Sequence, residues 1–234
     1  MREIVMDTET TGFDPFGAHP DRIVEIGGVE LWNHLPTGKT YHQYINPERD
    51  MPAEAFGVHG LSEEFLSDKP VFREIAQDFI DFVGDAKLVI HNAKFDMKFL
   101  NAEFGWLNLP PLPMEQAIDT LAIAKKKFPG AQATLDALCR RFGIDNSART
   151  LHGALLDSEI LAEVYLELIG GKQPDFVLDA GGGAKGGGAV GASADWTPPP
   201  RPRPRRSLLT EAEAEAHAAF VEKLGDAALW KKTG

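Results

Sequence analysis

One cysteine stands among 234 residues, so the chain can close no disulfide on itself and build no cysteine-rich zinc site. No apolar run approaches the roughly 18 residues that a membrane-crossing helix needs. Met1-Arg2 leads straight into a strand-like run, which leaves no room for a cleavable signal peptide. Basic side chains are scarce as well: 24 against 35 acids, a formal net charge of −11. Domains that wrap nucleic acid through their own field are usually basic, so a polyanion would need other help to settle here. What is present is an ordinary globular composition, 43% hydrophobic and 25% charged, enough for one well-buried core. These features predict a soluble protein of a reducing, cytoplasmic compartment with no membrane partner.

Composition changes near Gly170. Before it, periodic apolar segments alternate with short turns. After it, seven of the eleven residues 181–191 are glycine, and 198–206 (PPPRPRPRR) holds five prolines and four arginines. Such stretches bury too little apolar surface to balance their ordering entropy. The reading is a domain over 1–172, a flexible linker over 173–206 and a helical segment over 207–234. In the last, Thr210 with Glu213 three residues on forms a capping box. Ala214, Ala218, Val221 and Leu224 follow at helical spacing, a docking helix rather than a free-standing fold. The whole −11 falls on residues 1–172, which carry 16 bases and 27 acids. Divalent metal ions could neutralise that charge locally.

Within the first domain, strands are expected over 3–9 (EIVMDTE), 22–31, 39–45 and 87–91, with a short one over 117–120. Helices are expected over 71–83, 93–104, 135–142 and 153–169. Three early strands on short turns, followed by strands alternating with helices, predict an α/β fold with a mixed sheet flanked by helices.

Acids on apolar faces are the informative feature. Alternation along the first strand puts Val5, Asp7 and Glu9 on one side. Asp96 shares its helical face with Phe99 and Leu100, and Asp157 with Ile160, Leu161 and Val164. Buried carboxylates need a counter-charge, and no arginine or lysine recurs beside these three segments. A metal supplies it, and an all-oxygen set suits Mg²⁺ or Mn²⁺ over zinc. His152 lies five residues before Asp157, off its helical face, so it belongs to the loop or first turn. From there its imidazole could accept a proton from a metal-activated water. Asp119 reads as a helix cap, Asp136 as a solvated acid, Cys139 as core and Lys125-Lys126-Lys127 as partners of a helix end in water.

Asp7-Thr8-Glu9, Asn92-x-x-Phe95-Asp96 and His152-x-x-x-x-Asp157 resemble the three motifs of the DEDDh 3′-to-5′ exonucleases. DTETTGF, VEIGGVEL, FGVHGLS, LVIHNAKFD and TLHGALLDSEILAEVYL are similar to the proofreading epsilon family of bacterial DNA polymerase III, over about residues 2–172. The resemblance implies a ribonuclease H-like fold and two divalent ions, Mg²⁺ or Mn²⁺, about 3.5–4 Å apart. It implies Asp7, Glu9 and Asp157 as metal ligands, Asp96 acting through water, and His152 as general base. Glu54 and His59 match positions that contact the terminal nucleotide. Thr8 and the turn at Gly12 are weaker matches facing the same nucleotide. From the residues alone, Glu54 and His59 read as a surface loop with a capping glutamate. The implied substrate is a single-stranded or frayed 3′ end of DNA. Implied partners are the polymerase alpha subunit through 207–234, the sliding clamp through Gln173–Leu178 and a small theta-like subunit. The Gly- and Pro-rich insert departs from the better-known linkers of that family.

Overall fold

The computed structural model describes residues 1–147, 151–170 and 210–223. The chain divides into two units, Met1–Leu178 and Asp179–Gly234. The first carries a five-stranded sheet of order β3-β2-β1-β4-β5. Its strands are β1 (Arg2–Thr10), β2 (Ile23–Trp32), β3 (Leu35–Tyr44), β4 (Lys87–Ile90) and β5 (Ala117–Asp119). β1, β2 and β3 pair antiparallel, whereas β4 joins β1 and β5 joins β4 in parallel. The expected mixed sheet is therefore present.

The helices are α1 (Ala53–His59), α2 (Glu63–Leu66), α3 (Phe72–Val83), α4 (Ala93–Trp106), α5 (Thr120–Lys127), α6 (Leu135–Phe142) and α7 (Ala154–Ile169). Alternation along β1 divides the core between the two faces of the sheet. Ile4 and Met6 pack with Phe72, Phe79, Phe99 and Leu100 of α3 and α4. Val5 packs with Leu138, Leu161 and Val164 of α6 and α7. The 3.6-residue apolar stripes predicted α3, α4, α6 and α7 to within two residues at each end, because each covers one face of this sheet. β3 starts four residues before its expected position. The hairpin turns on Asn33 and His34, at φ 50° and 67°, a pair of left-handed residues that lets the strand resume at once.

In the second unit, α8 (Glu211–Lys223) is the element among the described residues. The expected capping box forms: Thr210 Oγ1 accepts from the Glu213 N–H at 3.3 Å, and the Glu213 carboxylate accepts from the Thr210 N–H at 2.9 Å. Phe220 is exposed on it. The linker over 173–206, the Gln173–Leu178 segment and Leu229-Trp230 lie outside the described residues.

Candidate active site

β1 and β4 run parallel, and the site forms beyond their carboxyl ends, where an open α/β sheet leaves a crevice. β1 contributes Asp7 and Glu9, the latter buried. α7 must come close to place a third carboxylate beside them, and a glycine permits it. The cross-strand partner of Asp7 is Gly27, and a Cβ on Gly27 would lie 2.2 Å from the Ala154 carbonyl carbon and the Leu155 nitrogen. With no side chain there, the first turn of α7 rests on the sheet, and Ser158 Oγ sits 3.1 Å from the Gly27 oxygen. Asp157, buried at 3% exposure, is thereby delivered to the end of β1.

Asp96 arrives from the other face, in the first turn of α4. β4 ends at Ile90, and Asn92 takes a left-handed conformation, φ 67°, with its N–H donating to Asp119 at 3.1 Å. This starts α4 at the rim, and Asp96 accepts from both the N–H and the hydroxyl of Thr8, at 3.1 and 2.7 Å. Burial pushes the Asp96 carboxyl up to about 7, against the Thr8 hydrogen bonds and with the help of the nearby Asp119 charge. Desolvation wins because Thr8 brings dipoles but no charge.

His152 sits in the loop before α7, as its spacing from Asp157 predicts. Its N–H donates to the Val58 oxygen at 3.1 Å, and its Nδ1 lies 3.2 Å from Asp157 Oδ2, with the ring about half exposed. Glu9, His152 and Asp157 each offer one ligand atom within 4.8 Å of the others. Asp7 stands outside that tightest triplet but lines the same cleft of about 710 Å³, together with Glu9, Asp96, His152 and Asp157. The residues fit a hard divalent cation: three segments bring carboxylates to one place, and the buried Asp96 resists ionisation in the absence of added positive charge.

Beside the cleft lies a second cavity of about 550 Å³ lined by Thr8, Gly12, Phe13, Glu54, Val58, His59 and Phe95, among others. Glu54 and His59 belong to α1, not to the surface loop that their residue types alone suggest. Seven residues are too few to show a helical period, but Pro52 just before the helix is a start signal. His59 is buried; its Nδ1 accepts from the Leu61 N–H at 3.0 Å, which leaves the proton on Nε2. That nitrogen is buried. Burial first, then the neighbouring His152, holds the His59 imidazole below its ordinary value, against an opposing hydrogen bond to the Thr10 backbone. Thr8 and Gly12 also line this cavity, and a Cβ on Gly12 would meet the Asp21 carboxylate at 2.4 Å.

Asp119 is the cap of α5, as expected, accepting from the N–H of Leu121 at 2.9 Å. Cys139 is core. Asp136 departs from its expected place in solvent: it is half-buried, lines the cleft that holds the carboxylates and accepts from Asn146 at 2.9 Å. The start of α6 faces the cleft, so the side of α6 away from its apolar stripe is not all solvent.

Comparison with known proteins gives the family and the fold. The chain matches the family model RNase_T, described as exonuclease, over residues 4–165. It belongs to that exonuclease family. Within it, the chain is 56% identical over 181 residues to the DNA polymerase III subunit epsilon of Rickettsia felis, covering 76% of this chain and 78% of that protein. It is 53% identical over 176 residues to that of Escherichia coli K12, covering 73% and 72%. Among solved structures it resembles exonuclease X in complex with 5′ overhanging duplex DNA, at 26% identity and a TM-score of 0.55, over 71% of this chain and 90% of that one. The nuclease domain of 3′hExo, a DEDDh family member bound to rAMP, shares the fold at a TM-score of 0.62 and 22% identity, over 72% and 91%.

Proposed function

We propose that the protein is the proofreading 3′-to-5′ exonuclease subunit of a bacterial DNA polymerase III, acting in the cytoplasm on mispaired 3′ ends. The observation that carries this is the convergence of Asp7, Glu9, Asp96, Asp157 and His152 on one cleft, in a chain 56% identical to a subunit of that name.

Asp7, Glu9 and Asp157 would hold two divalent ions, Mg²⁺ or Mn²⁺, with Asp96 reaching them through water. Bound there, they supply Lewis acidity at the scissile phosphodiester. His152 takes the proton of the attacking water; the half-exposed ring can turn toward substrate from the Asp157 contact it makes at 3.2 Å. Glu54 and the Nε2–H of His59 fix the terminal nucleotide in the adjoining cavity. His59 stays neutral there because burial disfavours its cation. A mispaired terminus frays more easily, so it enters such a pocket more often than a paired one.

The acidic domain holds DNA weakly by itself, and a replicase solves this by presenting the primer. The helical segment over 207–234, with the exposed Phe220 on α8, would dock on the alpha subunit. Gln173–Leu178 would engage the sliding clamp, and a small theta-like subunit is a third partner.

The test is nucleotide release, with Mg²⁺, from a primer with a mispaired 3′ end, a matched one and an RNA primer. Faster release at the DNA mispair, lost in Asp157→Ala, is expected. Activity should rise as the imidazole loses its proton, and His152→Gln should remove that limb of the pH profile. A preference for RNA, or an unchanged profile in His152→Gln, counts against the reading.

A further inference from the structure

The run Lys125-Lys126-Lys127 ends α5, where basic residues commonly serve the helix dipole in water. The tertiary structure gives the three lysines different surroundings. Lys127 Nζ donates to the carbonyls of Glu167 and Leu168 at 3.2 and 3.0 Å, closing the end of α7. Lys126 is exposed and does not line the catalytic cleft. Lys125 does line it, in company with Asp7, Glu9, Asp96, Asp136 and Asp157. Among the described residues no hydrogen bond or ion pair holds the Lys125 ammonium, although acids outnumber it in that cleft. A long cationic side chain that stays unpaired beside carboxylates is available to another anion.

The two cavities share Thr8, Glu9 and Phe95, so the carboxylates stand at their junction. If the terminal nucleoside enters the Glu54–His59 cavity and the scissile phosphate sits at the carboxylates, the following phosphates of the strand pass into the Lys125 side of the cleft. We propose that Lys125 is a specificity-determining residue that pairs with a backbone phosphate beyond the scissile one, so that the site favours a polynucleotide end over a small phosphodiester. The proposal rests on the exonuclease reading of the cleft. Among the described residues, Lys125 is the lysine or arginine that lines this acidic cleft, and its reach along the (CH₂)₄ stem suits a flexible single strand.

The experiment compares the full chain with Lys125→Ala, Lys125→Arg and Lys126→Ala in a KCl series with Mg²⁺. Two substrates are used: a single-stranded DNA decamer, and the p-nitrophenyl ester of thymidine 5′-monophosphate, which carries no second phosphate. For Lys125→Ala, kcat/KM on the decamer should fall about fivefold, chiefly through KM. The slope of log kcat/KM against log salt should flatten by about 0.7, the value for one phosphate of a single strand. The ratio of decamer to ester kcat/KM should drop with it. Lys125→Arg should recover both, and Lys126→Ala should follow wild type. An equal loss on both substrates, or an unchanged salt slope, overturns the proposal. If the wild-type protein cleaves neither substrate, the exonuclease reading falls and this proposal falls with it.

Discussion

Glu30 and Asp96 are both buried, 6% and 2% exposed, yet their surroundings drive their protonation in opposite directions. Glu30, on β2 near the amino end of β1, accepts from Arg2 Nε at 2.6 Å and from Thr37 Oγ1 at 2.8 Å. Those bonds, led by the guanidinium, hold its carboxyl below the usual range. Asp96, at the carboxyl end of β1, has Thr8 as its donor and is pushed up to about 7 by burial. Two other buried acids are held by the chain itself: Glu3 accepts from the Tyr165 hydroxyl at 2.8 Å and lies 2.8 Å from His34 Nδ1, and Glu103 is clasped by Arg22 at 2.8 and 2.9 Å. Glu30 and Glu103 each have a guanidinium from the chain itself, whereas Asp96 accepts from Thr8 and, among the described residues, no cation pairs with it. Burial of an acid therefore does not by itself mark a site; the source of its counter-charge does.

Substitutions at the two ends should separate these roles. Asp157→Asn should lower exonuclease turnover on the order of a thousandfold, about 4 kcal/mol of transition-state stabilisation. Its metal-free melting temperature should stay level or rise, because one of several clustered charges is gone. A melting temperature several degrees lower would mean that Asp157 is structural, like Glu30. Gly27→Ala tests the approach that assembles the cleft. Its Cβ would meet the backbone of Ala154 at 2.2 Å, so α7 must move. Turnover should fall about a hundredfold and stability by about 3 kcal/mol, read by kinetics and denaturant melts on one preparation.

At the other end, Arg2→Ala removes the guanidinium and leaves the Glu30 carboxylate with Thr37 at 2.8 Å and Lys39 at 3.7 Å. It should cost about 2 kcal/mol in a urea melt, less than a fully buried pair because Arg2 is partly exposed, and leave turnover on the mispaired primer unchanged. Loss of activity there would erase the distinction between the two ends.

The smallest effects are in pH. The Asp96 carboxyl rises from about 3.8 unfolded to about 7 folded, so the native state binds the extra proton. Its contribution to stability is complete below about pH 4 and is lost as pH rises toward 7. The lowered Glu30 carboxyl gives the opposite slope: its contribution is present at neutral pH and lost as pH falls below the ordinary carboxylate range. In EDTA, Asp96→Asn should remove the decline between pH 4 and 7, whereas Mg²⁺ should flatten it in wild type. A decline that persists in both cases would move its origin away from the cleft.

How much of this was readable beforehand depends on the length of the signal. β1 and β4, and the helices α4, α6 and α7, carry enough alternation or apolar period to declare themselves, and the acids that break those patterns pointed to Asp7, Glu9, Asp96 and Asp157. The capping box at Thr210 and Glu213 was legible because both partners are local. α1 was not, since seven residues ending at Gly60 show no period. The inward place of Asp136 was hidden because α6 has two covered sides, one against the core and one at the cleft. Nor could spacing distinguish Lys125 from Lys127, whose partners Glu167 and Leu168 lie some forty positions away.

The sequence by itself determined the strands and the helices α3, α4, α6 and α7, which carboxylates interrupt apolar faces, and the family to which those motifs belong. These depend on local periodicity and residue type. Only the tertiary structure decided which acids meet, because that turns on the absence of a Cβ at Gly27, on Asn92 starting α4 at the rim of the sheet, and on Arg2 and Arg22 reaching Glu30 and Glu103 rather than the cleft. Neighbours in space are set by packing across the sheet, and nothing in the one-dimensional order of the residues encodes the distance between β1 and the first turn of α7.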